Sequence, residues 1–408
     1  MHKNIFTGLL IIFANFCFSQ TTFEGHVYDS NTKEPLESVS IYIENTNYGT
    51  VTNSEGKYKF TFNAETPIII FSYLGYETKT LNSSEIPKQL FLSEYENVLE
   101  EVLITNNNVG DILKDVLKTT KKALKKPLLQ KTYNREFSKI NDEFNYFADG
   151  VVEYHIRNSG KKIKSDTYIK QSRVLTTLNE SSETTEAIPI KYDVRDQIKE
   201  GFGDYELLKH LYKQEERYDF ILKTKSYNDS LTYNIVEFKP KDTLLNKNRE
   251  GKHLSGNFLF KGKVVYDTAT KLILDMELQK ASNTDEDALY MKNFLVTFKY
   301  FDVRQKASYR IDGDHYILVY KKEYHKLHIY KILGKKYDTK YEFYTSLNTL
   351  SYQEFNGDLN RNERYRDETI YKNGNQHTTD FWKNNAILST EEEENFINSI
   401  KELTTTKL

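Results

Sequence analysis

The groups with which this chain could do chemistry are 59 carboxylates, 57 lysine and arginine side chains, nine histidines and one cysteine. A shared metal needs several ligands on one face. His325 and His328 stand three apart, with Leu327 and Ile329 setting a strand-like pattern around them. On a strand that spacing sends the two rings to opposite faces, so no joint metal is expected. His377 and Asp380 lie in a polar loop, as do Asp285 and Asp287, where such residues are ordinary. Asp358, Asn360 and Asn362 open like a calcium loop. The sixth position is Glu363 rather than glycine and the twelfth is Thr369 rather than glutamate, so the motif fails. No Gly-x-Ser-x-Gly elbow and no phosphate-binding glycine loop occurs. The expectation is no catalytic, metal or cofactor-binding residue and no cofactor, with binding residues unassigned.

The elements that would have to position a site come next. A length of 408 residues gives room for two to three domains, at about 150 residues each. The formal net charge of -2 offers no electrostatic reason to invoke nucleic acid. A mean hydropathy of -0.68 excludes a polytopic helical membrane protein. The 14% of aromatic residues supplies enough apolar area for a packed core and argues against disorder. Ile5 to Phe18 is almost continuously apolar but short of the roughly 20 residues needed to span a bilayer. It reads as the core of a secretory signal over 1–19, cleaved before Gln20. Cys17 would leave with it; the alternative is lipid attachment at Cys17, which the bulky Phe16 opposes. The expected location is therefore the periplasm or the periplasmic face of the outer membrane, with no transmembrane span in the mature chain.

Residues 20–105 read as a small β-sandwich. Val39, Ile41 and Ile43 alternate with polar residues, and so do Tyr58, Phe60 and Phe62. Ile68 to Phe71 reads as a continuous core strand. Turn chemistry at Asn31–Pro35, Asn45–Gly49 and Asn53–Gly56 separates the strands. Gly25-x-Val27-x-Asp29, Thr32, Pro35-Leu36, Thr46-x-x-Gly49-Thr50-x-Thr52, Gly56-x-Tyr58-x-Phe60 and Ser72-x-x-Gly75-Tyr76 together resemble the carboxypeptidase regulatory-like domain. Leu99-Glu100-Glu101-Val102 closes that pattern. The resemblance implies a prealbumin- or immunoglobulin-like sandwich of the accessory kind found on exported Bacteroidetes proteins, including TonB-dependent transporters. It does not imply peptidase activity. A zinc carboxypeptidase needs His-x-x-Glu and a distant histidine, and none of the nine histidines has glutamate three residues on. Asn53 stands where the family often has aspartate, which weakens any calcium site in that turn.

Residues 106–408 read as a larger antiparallel β domain with a few peripheral helices. A helix over 109–126 should pack Ile112, Leu113, Val116, Leu117 and Leu124 on the domain, its lysines in solvent; a membrane-surface role is the lesser reading. Phe260 to Tyr266 and Leu272 to Leu278 make the clearest hairpin, with Leu272, Leu274, Met276 and Leu278 on one face. Thr390 and Glu393 form a capping box for a closing helix over 391–403, with Phe396, Ile397, Ile400 and Leu403 as its apolar stripe. The close on Thr405 to Leu408 lacks the terminal aromatic strand usual in outer-membrane barrels. Asn356 to Asp380 reads as a disordered or binding loop. Tyr133-x-Arg135-Glu136, Ala148-Asp149-Gly150 and Gln171-Ser172-Arg173 resemble a second pattern, in exported proteins of unknown function.

The fold class is thus mainly β. The functional expectation is a non-enzymatic envelope protein that docks an outer-membrane or periplasmic protein complex. The alternatives are an envelope hydrolase using two carboxylates or a His–carboxylate pair, and a lipid carrier or chaperone with a concave apolar sheet.

Overall fold

The computed structural model describes residues 21–62, 67–95, 99–104, 109–158, 162–177, 192–204, 211–213, 215–228, 231–241, 260–280, 289–292, 296–357, 359–376 and 389–406. The leader expected over 1–19, Cys17, Asp285, Asp287, Asp358, His377 and Asp380 lie outside them.

Alternation builds the first domain. One sheet has the order β4 (Lys57–Phe62), β1 (Thr21–Asp29), β7 (Gln89–Leu92). The other runs β3 (Gly49–Val51), β2 (Ser40–Ile43), β5 (Ile68–Ser72), β6 (Lys79–Asn82). Val27, Val39, Ile41, Tyr58, Ile69, Phe71 and Leu92 fill the space between them. β5 alternates rather than running buried throughout: Ile69 and Phe71 point inward, but Ile68 is 38% exposed. The spaced polar residues are the clasps of this sandwich. Asp29 accepts the amides of Asn31 (2.6 Å) and Thr32 (2.8 Å) and the Tyr76 hydroxyl (2.5 Å). Thr52 Oγ1 donates to Leu36 O and accepts from Val39 N. Asn53 Oδ1 accepts Glu55 N and Lys57 N, serving its turn as a local acceptor.

The remaining strands form one twelve-stranded antiparallel sheet. They are β8 (Leu99–Ile104), β9 (Leu128–Ile140), β10 (Glu143–Asn158), β11 (Ile163–Thr176), β12 (Tyr218–Asn228) and β13 (Leu231–Pro240). Then come β14 (Phe260–Asp267), β15 (Ile273–Lys280), β16 (Leu289–Lys292), β17 (Val296–Asp312), β18 (His315–Ile332) and β19 (Lys335–Glu354). The order is β11-β10-β9-β19-β18-β17-β15-β14-β13-β12-β8, with β16 also on β17. The Leu99–Val102 segment, which the sequence places at the close of the sandwich, is therefore the edge strand of the large sheet. The β14–β15 hairpin forms as expected, but an irregularity between Val265 and Tyr266 shifts its faces. Ile273 enters the core with Met276 and Leu278, while Leu272 only packs against its rim. At Gly150 a Cβ would meet Gln171 O at 2.5 Å, so the β10–β11 approach requires glycine there.

One face of this sheet is apolar and covered. Helix α1 (Val109–Ala123) lays Val109, Leu113, Val116 and Leu117 on it, and its lysines face outward. The helix thus packs on its own domain, three residues shorter than expected. A helical turn over 197–204 adds Ile198 and Phe202, preceded by Tyr192 and Val194. The opposite face carries the closing helix α2 (Glu391–Thr406), whose Phe396, Ile397 and Ile400 pack on Phe137 and Phe147. Its capping box forms, with Glu393 N to Thr390 Oγ1 at 3.3 Å and Thr390 N to Glu393 Oε2 at 2.8 Å. The Leu403 side chain lies outside the described residues. The sandwich sits on this same face.

Candidate functional site

The residues quoted for the second sequence pattern converge. On β9, Tyr133, Arg135 and Phe137 face α2, whereas Glu136 faces the apolar side. Arg135 meets Glu393 of α2 at 2.5 Å, both buried. Tyr133 donates its hydroxyl to Asp149 at 2.7 Å, and Arg173 grips the same carboxylate with Nε and Nη2. Ser172 N and O bond Gln376, while its hydroxyl donates to Gly374 O. This set joins three strands to α2 and to a strap over 359–376. The segment expected as a loop is therefore built, as far as 376. Two 3-10 turns and a pairing with β11 shape it, and Asn360 caps the first turn.

Glu136 fixes the strap from beneath. It is fully buried and accepts the amide of Tyr371 at 2.7 Å. Burial pushes its carboxyl up to about 8, against the pull of the Tyr371 and Ile370 amides. Its second oxygen has no hydrogen-bond partner, which suits a carboxyl that keeps its proton.

A second cluster, built around buried Lys321, lies on the apolar face. Lys321 Nζ is within 2.6 Å of both Glu200 and Glu323 and 2.9 Å of Gln197. It clamps the 197–204 turn to β18. Burial would raise Glu323, but Lys321 and then His325 draw it down to about 2. His325 approaches Glu323 at 3.8 Å, while His328 pairs with Asp338 at 2.6 Å. The two histidines engage different partners, as the strand spacing requires. Among the described residues, no group of three or more metal-ligating side chains comes together.

Sandwich and sheet meet through specific polar contacts. Glu37 accepts Lys322 Nζ at 2.7 Å and the Tyr320 hydroxyl at 2.9 Å. Arg310 stacks 4.2 Å from the Tyr42 ring centroid. Tyr48 makes a β-bridge to Ser351, and Glu55 accepts the first amide of α2, Glu391 N, at 2.8 Å. A pocket of about 580 Å³ opens at this junction. Glu37 forms one wall; Ile221, Lys239, Lys261, Glu277 and Lys306 are among the residues from the sheet. Lys306 also lies over the Tyr73 ring of the sandwich at 5.6 Å. Burial would strip its proton, but Asp275, Tyr73, Glu277 and Glu37 around it keep it above the ordinary lysine range.

A larger cleft of about 1130 Å³ wraps the edge strand β11. The β10–β11 hairpin contributes Arg157, Lys162 and Lys164; the 192–204 segment contributes Arg195 and Lys199; the strap contributes Arg361, Arg364 and Arg366. One carboxylate, Asp166, lies among these eight cations, shared by Arg157 and by Arg364 at 2.8 Å. Just outside the lining, Asp193 holds Arg195 and Asp196 holds Lys199. Sequence reading missed this cleft because its cations come from three separated segments of a nearly neutral chain.

The fold and its clasps define a mainly β protein that begins with an accessory sandwich. Residues 23–104 match the CarboxypepD_reg-like domain family; they are a carboxypeptidase regulatory-like domain, which is non-catalytic. No match to the chain was found among curated proteins. Among solved structures, a DUF1329 family protein from Desulfovibrio piger is 10% identical over 61% of this chain and 94% of its own, with a TM-score of 0.27. A LolA superfamily protein from Nitrosomonas europaea is 11% identical over 62% of this chain and 97% of its own, with a TM-score of 0.23. Likenesses at that level carry no argument about fold or ligand here. Among the described residues, no helix is long and apolar enough to cross a membrane.

Proposed function

We propose that the protein is a non-enzymatic, exported envelope protein that docks a protein partner at the periplasmic face of the outer membrane or in the periplasm. The observation that carries this reading is the junction pocket, walled by Glu37 of the regulatory-like domain and by the large sheet. Domain junctions are favoured places for recognition. Charges of both signs line this one, and such patterns set specificity and register for a complementary polypeptide segment. The two domains are tied at Glu37, Tyr42, Tyr48 and Glu55, so they offer the partner a single preformed surface.

Lys321 holds Glu200 and Glu323 as an ion-paired clamp between the 197–204 turn and β18, a structural use of these charges. The carrier alternative needs an open apolar concavity, and α1 and the 192–204 segment occupy the described apolar face. The test is affinity purification from detergent-solubilised envelopes with the wild-type protein and with K239E/K261E. Lys239 and Lys261 line the pocket without ion-pair partners among the described residues. A partner recovered by the wild type should be lost with K239E/K261E. Recovery of the protein free and monomeric in both cases would contradict the reading.

A further inference from the structure

We propose that the cleft around β11 is a binding site for a ligand that carries two or more phosphate groups. The chain as a whole is near neutral, at -2, yet eight lysine and arginine side chains face one lining carboxylate here. Even with Asp166, Asp193, Asp196, Glu363 and Glu368 set against them, the eight cations predominate. Among the described residues, no carboxylate pairs with Lys164, Arg361 or Arg366. Like charges concentrated in a cleft focus the field and draw in an anion. Guanidinium groups present planar forks that grip a phosphate through two parallel hydrogen bonds, and five of the eight cations are arginines.

The geometry is set before a ligand arrives. Tyr365 N bonds Thr167 O at 2.8 Å, Gln376 pairs with Ser172, and Glu136 holds Tyr371 N. These bonds fix the strap, and with it Arg361, Arg364 and Arg366, against the β11 edge. A ligand therefore meets cations carried on a fixed backbone, so only their side chains have to order on binding. The volume, about 1130 Å³, accommodates a ligand well beyond a single small anion.

Titration calorimetry of the full protein with tripolyphosphate tests the site, alongside flotation with phosphatidylglycerol and phosphatidylcholine vesicles. Tripolyphosphate should bind, and added salt should weaken it. The variant R361E/R366E, both positions exposed, should lose tenfold or more in affinity. K79E/K88E makes the same charge change on the sandwich and should stay within twofold. Should R361E/R366E fold poorly, the milder R361Q/R366Q should still lose several-fold. If phosphatidylglycerol vesicles also bind and tripolyphosphate displaces them, the phosphates are those of neighbouring headgroups on a lipid surface. If only tripolyphosphate binds, the ligand is a soluble phosphate compound. The proposal is overturned if neither binds, if the arginine variants bind like the wild type, or if polyglutamate binds as tightly as tripolyphosphate.

Discussion

Arg135 on β9 and Glu393 on α2 form a buried ion pair at 2.5 Å, and the same Glu393 oxygen accepts the Thr390 amide that opens the helix. One carboxylate thus caps α2 and anchors it to the sheet. Glutamine can serve a capping box but cannot neutralise Arg135. We expect E393Q to destabilise the protein by about 3–5 kcal/mol, since it strands a buried guanidinium. The double variant R135Q/E393Q should cost less than the sum of the two single changes, as coupled neighbours do. Urea denaturation of the four proteins measures this; strict additivity would mean that the pair does not act as a unit.

Glu136 predicts a pH dependence with a definite sign. Its folded value is about 8 against an ordinary value of 4.5. Between those limits the folded chain keeps a proton that the unfolded chain has released. Stability from this group is therefore full below about pH 4.5 and declines as pH rises through about 8. The slope should not exceed about 1.4 kcal/mol per pH unit. Thermal melts from pH 5 to 9 should show the decline in the wild type and a much flatter profile in E136Q. An unchanged slope in E136Q would remove Glu136 as its source.

The contact of Glu37 with Lys322 predicts how the domains are held. E37K should bring two lysines together and loosen the sandwich, increasing its cleavage by protease. The swap E37K/K322E should restore most of the protection. Equal protection of all three proteins would show that Tyr42–Arg310 and the Tyr48 bridge suffice.

Much of this architecture was legible in residue spacing. Val39, Ile41 and Ile43 marked a strand with one buried face, and Thr390 with Glu393 marked a helix start, because both signals are local. Three things were not. Ile273 replaced Leu272 and Leu274 in the core, since a bulge at Leu274 on β15 itself inverted the alternation. Leu99 to Ile104 left the sandwich for the edge of the large sheet, a choice set by its pairing with β12. The basic cleft depended on the strap folding back over β11, which brings Arg361 to Arg366 beside Arg157 and Lys164 from some 200 residues earlier. The triplets around Arg135, Asp149 and Ser172 stood out in the sequence, yet their role as a latch required the positions of Glu393 and Gln376.

The docking reading is tested most directly by placing a photo-crosslinking amino acid at Lys261, inside the junction pocket, and at Lys88, on the sandwich outside that pocket. Irradiation of intact cells should give one discrete adduct with an envelope protein from position 261, diminished by E37K, and none from position 88. The same adducts from both positions, or none from 261, would contradict a partner site at the junction of the two domains.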